Sequence, residues 1–288
     1  MANFDGTHIL LFPTFRCNYR CSYCVFHQDS TGCLKTITGS EWHIGPELSA
    51  AEWKQHLDKF KPYLLEMSGG EPTLSEAIPE LVNDLPDGCK WAITSNGTYL
   101  PDYNERAAKT CGSYTLSFHL EYFKKGGKQY LTDLVGKAVE LKKQGFPVAF
   151  TFVITPELLP MAEAVVPILQ KDWPVNIHPA AFVVGLNWDK HRDELRRIKK
   201  LGGMYYIEYP MSLADCMQFE SCTAGGRSYF FLMPDGRVLR CHSQVFSQHH
   251  QELGHISTWQ LPETDEFIPC EWPHMVACDD RSTKKRGK

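Results

Sequence analysis

The sequence predicts an α/β fold built on a mainly parallel sheet, and three observations carry that reading. From residue 7 to about 180, short apolar runs rich in β-branched and aromatic residues alternate with longer segments of helical period. Polar or glycine-containing turns follow the early runs directly, as they do at the C-terminal strand ends where α/β proteins build their sites. The rhythm then breaks near residue 204, where cysteines and turn residues take over.

The candidate strands in chain order are His8 to Phe12, Leu64 to Met67, Trp91 to Ser95, Tyr114 to Phe118, Val148 to Ile154 and Val175 to His178. Between them Ser49 and Glu52 have capping-box spacing, and Trp53, Leu57 and Phe60 follow at i, i+4, i+7, which predicts a helix start. Leu131, Leu134, Ala138 and Leu141 form a second apolar stripe, closed by Gly145 as a C-cap. Thr155-Pro156 opens a third helix with proline in its first turn. Six strands alternating with helices imply crossover connections and a parallel sheet, either curved into an open partial barrel or doubly wound. Beyond residue 204, Tyr229 to Met233 and Arg237 to Arg240 read as a hairpin turned by Pro234-Asp235-Gly236. That region reads as a small metal-stapled unit, because its own core is limited. The expected divisions are residues 1–203, 204–280 and a basic, frayed tail at 281–288.

Composition narrows the function classes. The 288 residues are 43% hydrophobic and 22% charged, as in a packed globular protein, and the net charge of −4 supplies no field for nucleic acid or an anionic membrane. No stretch has the length of a membrane span, and the apolar run at Ile9 to Phe12 is too short for a signal peptide. The expected location is therefore the cytoplasm, where eleven cysteines point to metal binding or catalysis rather than disulfides.

Cys17, Cys21 and Cys24 place three thiols within eight residues, directly after the first strand. Soft thiolates at this spacing suit zinc or an iron–sulfur cluster, and three of them leave one metal position open to a ligand. Ser68-Gly69-Gly70-Glu71-Pro72 follows the second strand, and its two glycines permit close backbone approach to a ligand. Thr94-Ser95-Asn96-Gly97 ends the third strand and Ser117 lies near the end of the fourth.

The spacing C-x3-C-x-aromatic-C, with Tyr23 as the aromatic, resembles the signature of the radical S-adenosylmethionine (SAM) superfamily, and Gly69-Gly70-Glu71-Pro72 resembles its GGEP element. The resemblance implies a partial (β/α)6 barrel. It implies a [4Fe–4S] cluster on Cys17, Cys21 and Cys24, with SAM held by its open iron and by Ser68, Gly69, Gly70 and Glu71. Ser95, Asn96 and Ser117 match the family more loosely as contacts to SAM or substrate. The chain departs from a common Ser-x-Asp pattern at the fourth strand, reading Ser117-Phe118-His119, so the substrate class stays unassigned.

Cys222, Gly236 and Cys241, spaced C-x13-G-x4-C, resemble the opening of SPASM and twitch extensions. With Cys270 and Cys278 they make four thiolates, which implies a twitch-like C-terminal extension holding a second, auxiliary [4Fe–4S] cluster; a structural zinc is the alternative reading of the same ligands. Cys216 is a spare ligand, a catalytic thiol or a buried packing residue. His119, Glu121 and His178 are the candidate acid–base residues at strand ends.

By resemblance the chain is an enzyme that takes an electron from a flavodoxin or ferredoxin and cleaves SAM to a 5′-deoxyadenosyl radical, which abstracts hydrogen from substrate. The strand pattern begins within ten residues, which favours a small molecule over the peptide or protein substrate of a maturase. A non-catalytic iron–sulfur or zinc protein would explain the cysteines but not the glycine turn beside them.

Overall fold

The computed structural model describes residues 4–24, 26–28, 33–36, 39–180, 188–202, 219–246, 252–266, 268–269 and 283–285. In chain order the elements begin with β1 (Thr7–Leu11) and three short strands, β2 (Phe26–Gln28), β3 (Cys33–Thr36) and β4 (Glu41–His43), followed by α1 (Ala50–Leu57). Then come β5 (Tyr63–Met67), α2 (Ala77–Asn83), β6 (Lys90–Ser95), α3 (Glu105–Thr110), β7 (Cys111–Phe118) and α4 (Leu120–Lys143). The alternation ends with β8 (Val148–Ile154), α5 (Leu159–Leu169), β9 (Val175–Pro179) and α6 (Arg192–Leu201). Last are β10 (Phe219–Cys222), β11 (Tyr229–Leu232), β12 (Arg237–Leu239), β13 (Glu252–His255), β14 (Ile268–Pro269) and β15 (Thr283–Lys285).

The main sheet has the order β13-β12-β11-β1-β5-β6-β7-β8-β9. Every neighbouring pair from β11 to β9 is parallel, so the six strands expected from the sequence lie side by side in chain order. Residues paired across parallel strands share a face. One face carries Ile9, Leu65, Ile93, Leu116, Phe152 and Ile177, each at most 3% exposed and packed in one core with residues of α1 to α6. The other face carries His8, Glu66, Thr94, Thr115, Thr151 and His178, all only partly buried. An apolar face under helices and a more polar open face are what a partial barrel requires.

Local chemistry explains the helix boundaries. Ser49 and Glu52 complete the capping box, with Ser49 N–H donating to Glu52 Oε2 at 2.8 Å and Glu52 N–H to Ser49 Oγ at 3.3 Å. At the end of α4, Gly145 adopts φ 92°, and Phe146 N–H donates to Leu141 O at 3.0 Å, as in a Schellman close. Thr155-Pro156 opens a 3₁₀ turn, Pro156–Leu158, that leads into α5.

The hairpin expected in the C-terminal region is present, with Gly236 at φ 81° and its N–H donating to Met233 O at 3.1 Å. It differs from the separate unit expected after residue 204, because β11 lies parallel to β1 and extends the main sheet. The physical reason is its run of apolar residues: Phe230, Phe231 and Leu232 are all fully buried, as in a strand covered on both faces. The expected boundary itself borders residues 203–218, outside the described residues. Of the basic tail, Thr283–Lys285 is described and forms a strand antiparallel to β10.

The sheet's apolar face should govern stability. Ile93→Ala, at a site 1% exposed, is expected to cost about 2–5 kcal/mol, read as a lowered midpoint in urea unfolding followed by circular dichroism.

Candidate active site

The loop from Phe12 to Cys24 leaves β1 at its C-terminal end and is fastened at three places. The first is the glycine turn after β5, where Gly70 N–H donates to Thr14 O at 3.0 Å and Glu71 N–H to Arg16 O at 2.8 Å. Only glycine fits there: a Cβ on Gly70 would lie 2.3 Å from Arg16 O, and one on Gly69, at φ +113°, would lie 2.9 Å from Thr14 O. The second is the end of β6, where Asn96 Nδ2 donates to Asn18 Oδ1 at 2.8 Å and approaches Cys17 Sγ at 3.9 Å. The third is the first turn of α4. There Arg20 N–H donates to the Tyr122 hydroxyl at 2.7 Å, the Tyr19 and Tyr122 rings stack at 3.7 Å, and Ser22 donates through both N–H and Oγ to the Glu121 carboxylate.

These fastenings gather the three thiols around a cavity of about 160 Å³, lined also by Gly69, Gly70 and Asn96. Burial pushes the Cys21 thiol up to about 12 and raises Cys17 as well. Protein alone therefore disfavours the thiolates, and a bound metal centre supplies the positive charge that deprotonates them. A soft three-thiol donor set and a side-chain-free glycine turn on the same cavity fit an iron–sulfur cluster with a small ligand beside it.

Of the residues expected to hold SAM, Ser68, Gly69, Gly70, Glu71, Asn96 and Ser117 all line this cavity. Glu71 is also bonded within the protein. Its Oε1 accepts from Thr73 N–H at 3.1 Å, Thr73 Oγ1 at 2.7 Å and Ser95 Oγ at 2.8 Å, and its Oε2 accepts from Asn96 N–H at 2.6 Å. With 1% exposure, the carboxylate is a clamp tying the glycine turn to the end of β6. Ser95 belongs to this clamp.

His119 lines the cavity, with Nδ1 2.8 Å from Tyr23 Oη and 3.2 Å from Cys21 Sγ. Burial drives its pKa down to about 4 against the opposing charge of Glu121, so the ring is neutral at neutral pH. Glu121 faces Ser22 instead of the cavity. His178 lies on the open face of β9, where burial lowers its pKa, and it does not line the cavity. Cys241 is half-buried, and Cys222 is the last residue of β10. Cys216, Cys270 and Cys278 lie outside the described residues. The isolated Cys33, Cys89 and Cys111 are buried, as packing residues are.

Sequence reasoning missed Thr14, Arg16, Asn18 and Tyr122, which hold the loop. Tyr122 sits beside Glu121 at the helix start after β7, the one sequence signal that pointed to this place.

A parallel α/β sheet with a cysteine loop after its first strand and a glycine turn after its second defines the class. The Radical SAM superfamily matches residues 11–157, and the chain belongs to it. Members of the superfamily are enzymes that use a [4Fe–4S] cluster and SAM together with a reductant and a substrate. Among curated proteins, a probable GTP 3′,8-cyclase of Archaeoglobus fulgidus is 29% identical over 118 residues, 40% of this chain and 36% of that protein's length. Among solved structures, native anSMEcpe with bound AdoMet superposes with a TM-score of 0.57 at 19% identity, over 88% of this chain and 78% of that one. The same protein with bound AdoMet and the Cp18Cys peptide gives a TM-score of 0.53 at 18% identity over the same shares. These likenesses support the fold. Among the described residues no helix is long and apolar enough to cross a membrane.

The Glu71 clamp gives a direct test. Glu71→Gln puts an amide N–H against one of four donors, and the folded state should lose about 1–3 kcal/mol in urea unfolding. SAM affinity, read by equilibrium dialysis, should fall with it.

Proposed function

We propose that this chain is a radical SAM enzyme whose cluster is held by Cys17, Cys21 and Cys24 and whose radical acts on a small molecule bearing an unactivated C–H bond. The observation that carries the reading is the convergence of the three thiols, Gly69-Gly70 and Asn96 on one cavity. Cys17, Cys21 and Cys24 would hold the cluster, which would supply the electron for reductive cleavage of SAM and so the means of removing a hydrogen atom from the substrate.

The chain's own residues have distinct tasks in this reading. Gly69 and Gly70 present backbone to the SAM amino group, and Glu71 with Ser95 fixes that backbone. Asn96 and His119 face the sulfurs of Cys17 and Cys21, where hydrogen bonds set the potential of a cluster. Ser117 meets SAM or substrate at the end of β7. Glu121 orients the loop through Ser22, and His178 is held in reserve as a proton acceptor on the open face. Cys222, Cys241, Cys270 and Cys278 ligate an auxiliary [4Fe–4S] cluster in a twitch-like extension, and a reductant of flavodoxin or ferredoxin type supplies the electron.

A peptide substrate is the second reading, favoured by the fold shared with a protein solved with bound peptide. A nucleoside triphosphate, suggested by the cyclase relative, fits less well, because the open face of the sheet presents the Glu66 carboxylate.

Anaerobically reconstituted, reduced protein should convert SAM to 5′-deoxyadenosine, and Cys24→Ala should abolish the product in liquid chromatography. A wild-type protein that holds its cluster and makes none contradicts the reading. Iron and sulfide should approach eight of each per chain, on the expectation of four for each of two clusters. A triple alanine variant at Cys17, Cys21 and Cys24 should keep about half of both. Four irons with one zinc would replace the auxiliary cluster by a structural zinc site.

A further inference from the structure

The open face of the sheet carries one ionisable pair that the site above does not use. His8 on β1 and Glu66 on β5 point to that face, with His8 Nε2 2.8 Å from Glu66 Oε2. Their side chains are 25% and 40% exposed although both strands are central in the sheet, so the pair looks into open space between sheet and solvent. Burial opposes the Glu66 charge, but the hydrogen bond and charge of His8, with a contribution from His242, outweigh it and lower the carboxyl pKa. The group is therefore an anion at neutral pH.

The pair is unlike a stapled core ion pair. Among the described residues, Glu66 has neither a lysine nor an arginine partner, and no hydrogen bond to its Oε1 is found. With Nε2 spent on Glu66, the second ring nitrogen of His8 is left for another partner. Tyr229 of β11 lays its ring against His8, 5.4 Å between centroids at 70°, giving the pair an aromatic wall. Across the same face Asn176 Oδ1 is buried without a hydrogen-bond partner. The exposed chemistry at the pair is thus a carboxylate oxygen beside an aromatic ring.

Position ties the pair to the cavity. Glu66 is two residues before Ser68, which lines the cysteine cavity, so the two are about 7 Å apart along the strand. Thr94 and Ser117 both line that cavity and stand on strands of the same sheet. Neither His8 nor Glu66 lines the cavity itself, and the pair stands one step along the strand from a residue that does.

We infer that His8 and Glu66 form a substrate-anchoring pair that selects a cationic, N–H-donating group, an ammonium, amidinium or guanidinium, carried next to an apolar or aromatic body. This rests on the reading of the chain as a radical SAM enzyme and narrows its substrate class. The anionic Oε1 pairs with the positive group, and Tyr229 packs against the adjoining carbons. A substrate with a phosphate or carboxylate at that end is repelled.

The test uses the full chain, reconstituted, oxidised, and labelled with ¹³C in its histidine rings, with phenethylammonium and hydrocinnamate as matched cationic and anionic probes. The His8 signal is assigned by its loss in His8→Gln. Phenethylammonium should shift that signal saturably, hydrocinnamate should bind at least about tenfold more weakly, and Glu66→Gln should erase the difference. Glu66→Asp, which keeps the charge on a shorter arm, should retain the preference at lower affinity, and it serves if the Gln variant fails to fold by circular dichroism. Equal affinity for the two probes, no movement of the His8 signal with either, or an unchanged preference in Glu66→Gln overturns the inference. Iron content and 5′-deoxyadenosine formation, measured on the same wild-type preparation, separate a failure of this inference from a failure of the radical SAM reading.

Discussion

The site depends on two backbone hydrogen bonds, from Gly70 N–H to Thr14 O and from Glu71 N–H to Arg16 O. They dock the turn after β5 onto the cysteine loop after β1, and the strands bring the two segments together because β1 and β5 are paired in parallel from Thr7–Tyr63 to Leu11–Met67. The approach is so close that a single methyl group at position 70 would collide with backbone. Two glycines are thus the condition for three thiols and a ligand-binding turn to share one cavity. Glu71 then carries the constraint onward, since its buried carboxylate joins the same turn to Ser95 and Asn96 at the end of β6.

The sheet divides its labour by face. The side under the helices is largely apolar, so its stability comes mainly from burial. The open side keeps hydroxyls, His8, Glu66 and His178 at a cost in burial that an apolar residue would not incur. Polar groups retained at central strand positions are explained by what they meet on that face. The same division accounts for β11, whose apolar residues close one flank of the sheet and bring the hairpin and Tyr229 beside β1.

Much of this was legible in the sequence, and for physical reasons. Central parallel strands are buried on both faces or on one face beneath helices, so they appear as apolar runs; the run Val148 to Ile154 coincides with β8 to the residue. The cysteine and glycine motifs were legible because few other residue types can do what they do. The small sheet of β2, β3 and β4 was not legible, since its strands are short and mixed in polarity. Its burial is long-range, as in Trp42 Nε1–H donating to Val245 O at 2.8 Å. The partners of the Glu71 and Glu121 carboxylates are not legible, because a motif or a place at a strand end does not say which distant groups a side chain meets. Which way each carboxylate turns is decided by Ser95, Asn96 and Ser22, residues distant from them in the chain.

The central claim is that three thiols hold a cluster whose remaining metal position takes SAM. Pulsed electron–nuclear double resonance on the reduced, reconstituted protein with SAM labelled by ¹⁵N at its amino group and ¹⁷O at its carboxylate tests it most directly. The account predicts resolved couplings from both labels to the cluster spin, lost in Gly70→Ala, where the turn and the cysteine loop can no longer meet. A reduced cluster that shows neither coupling while SAM is bound would contradict it.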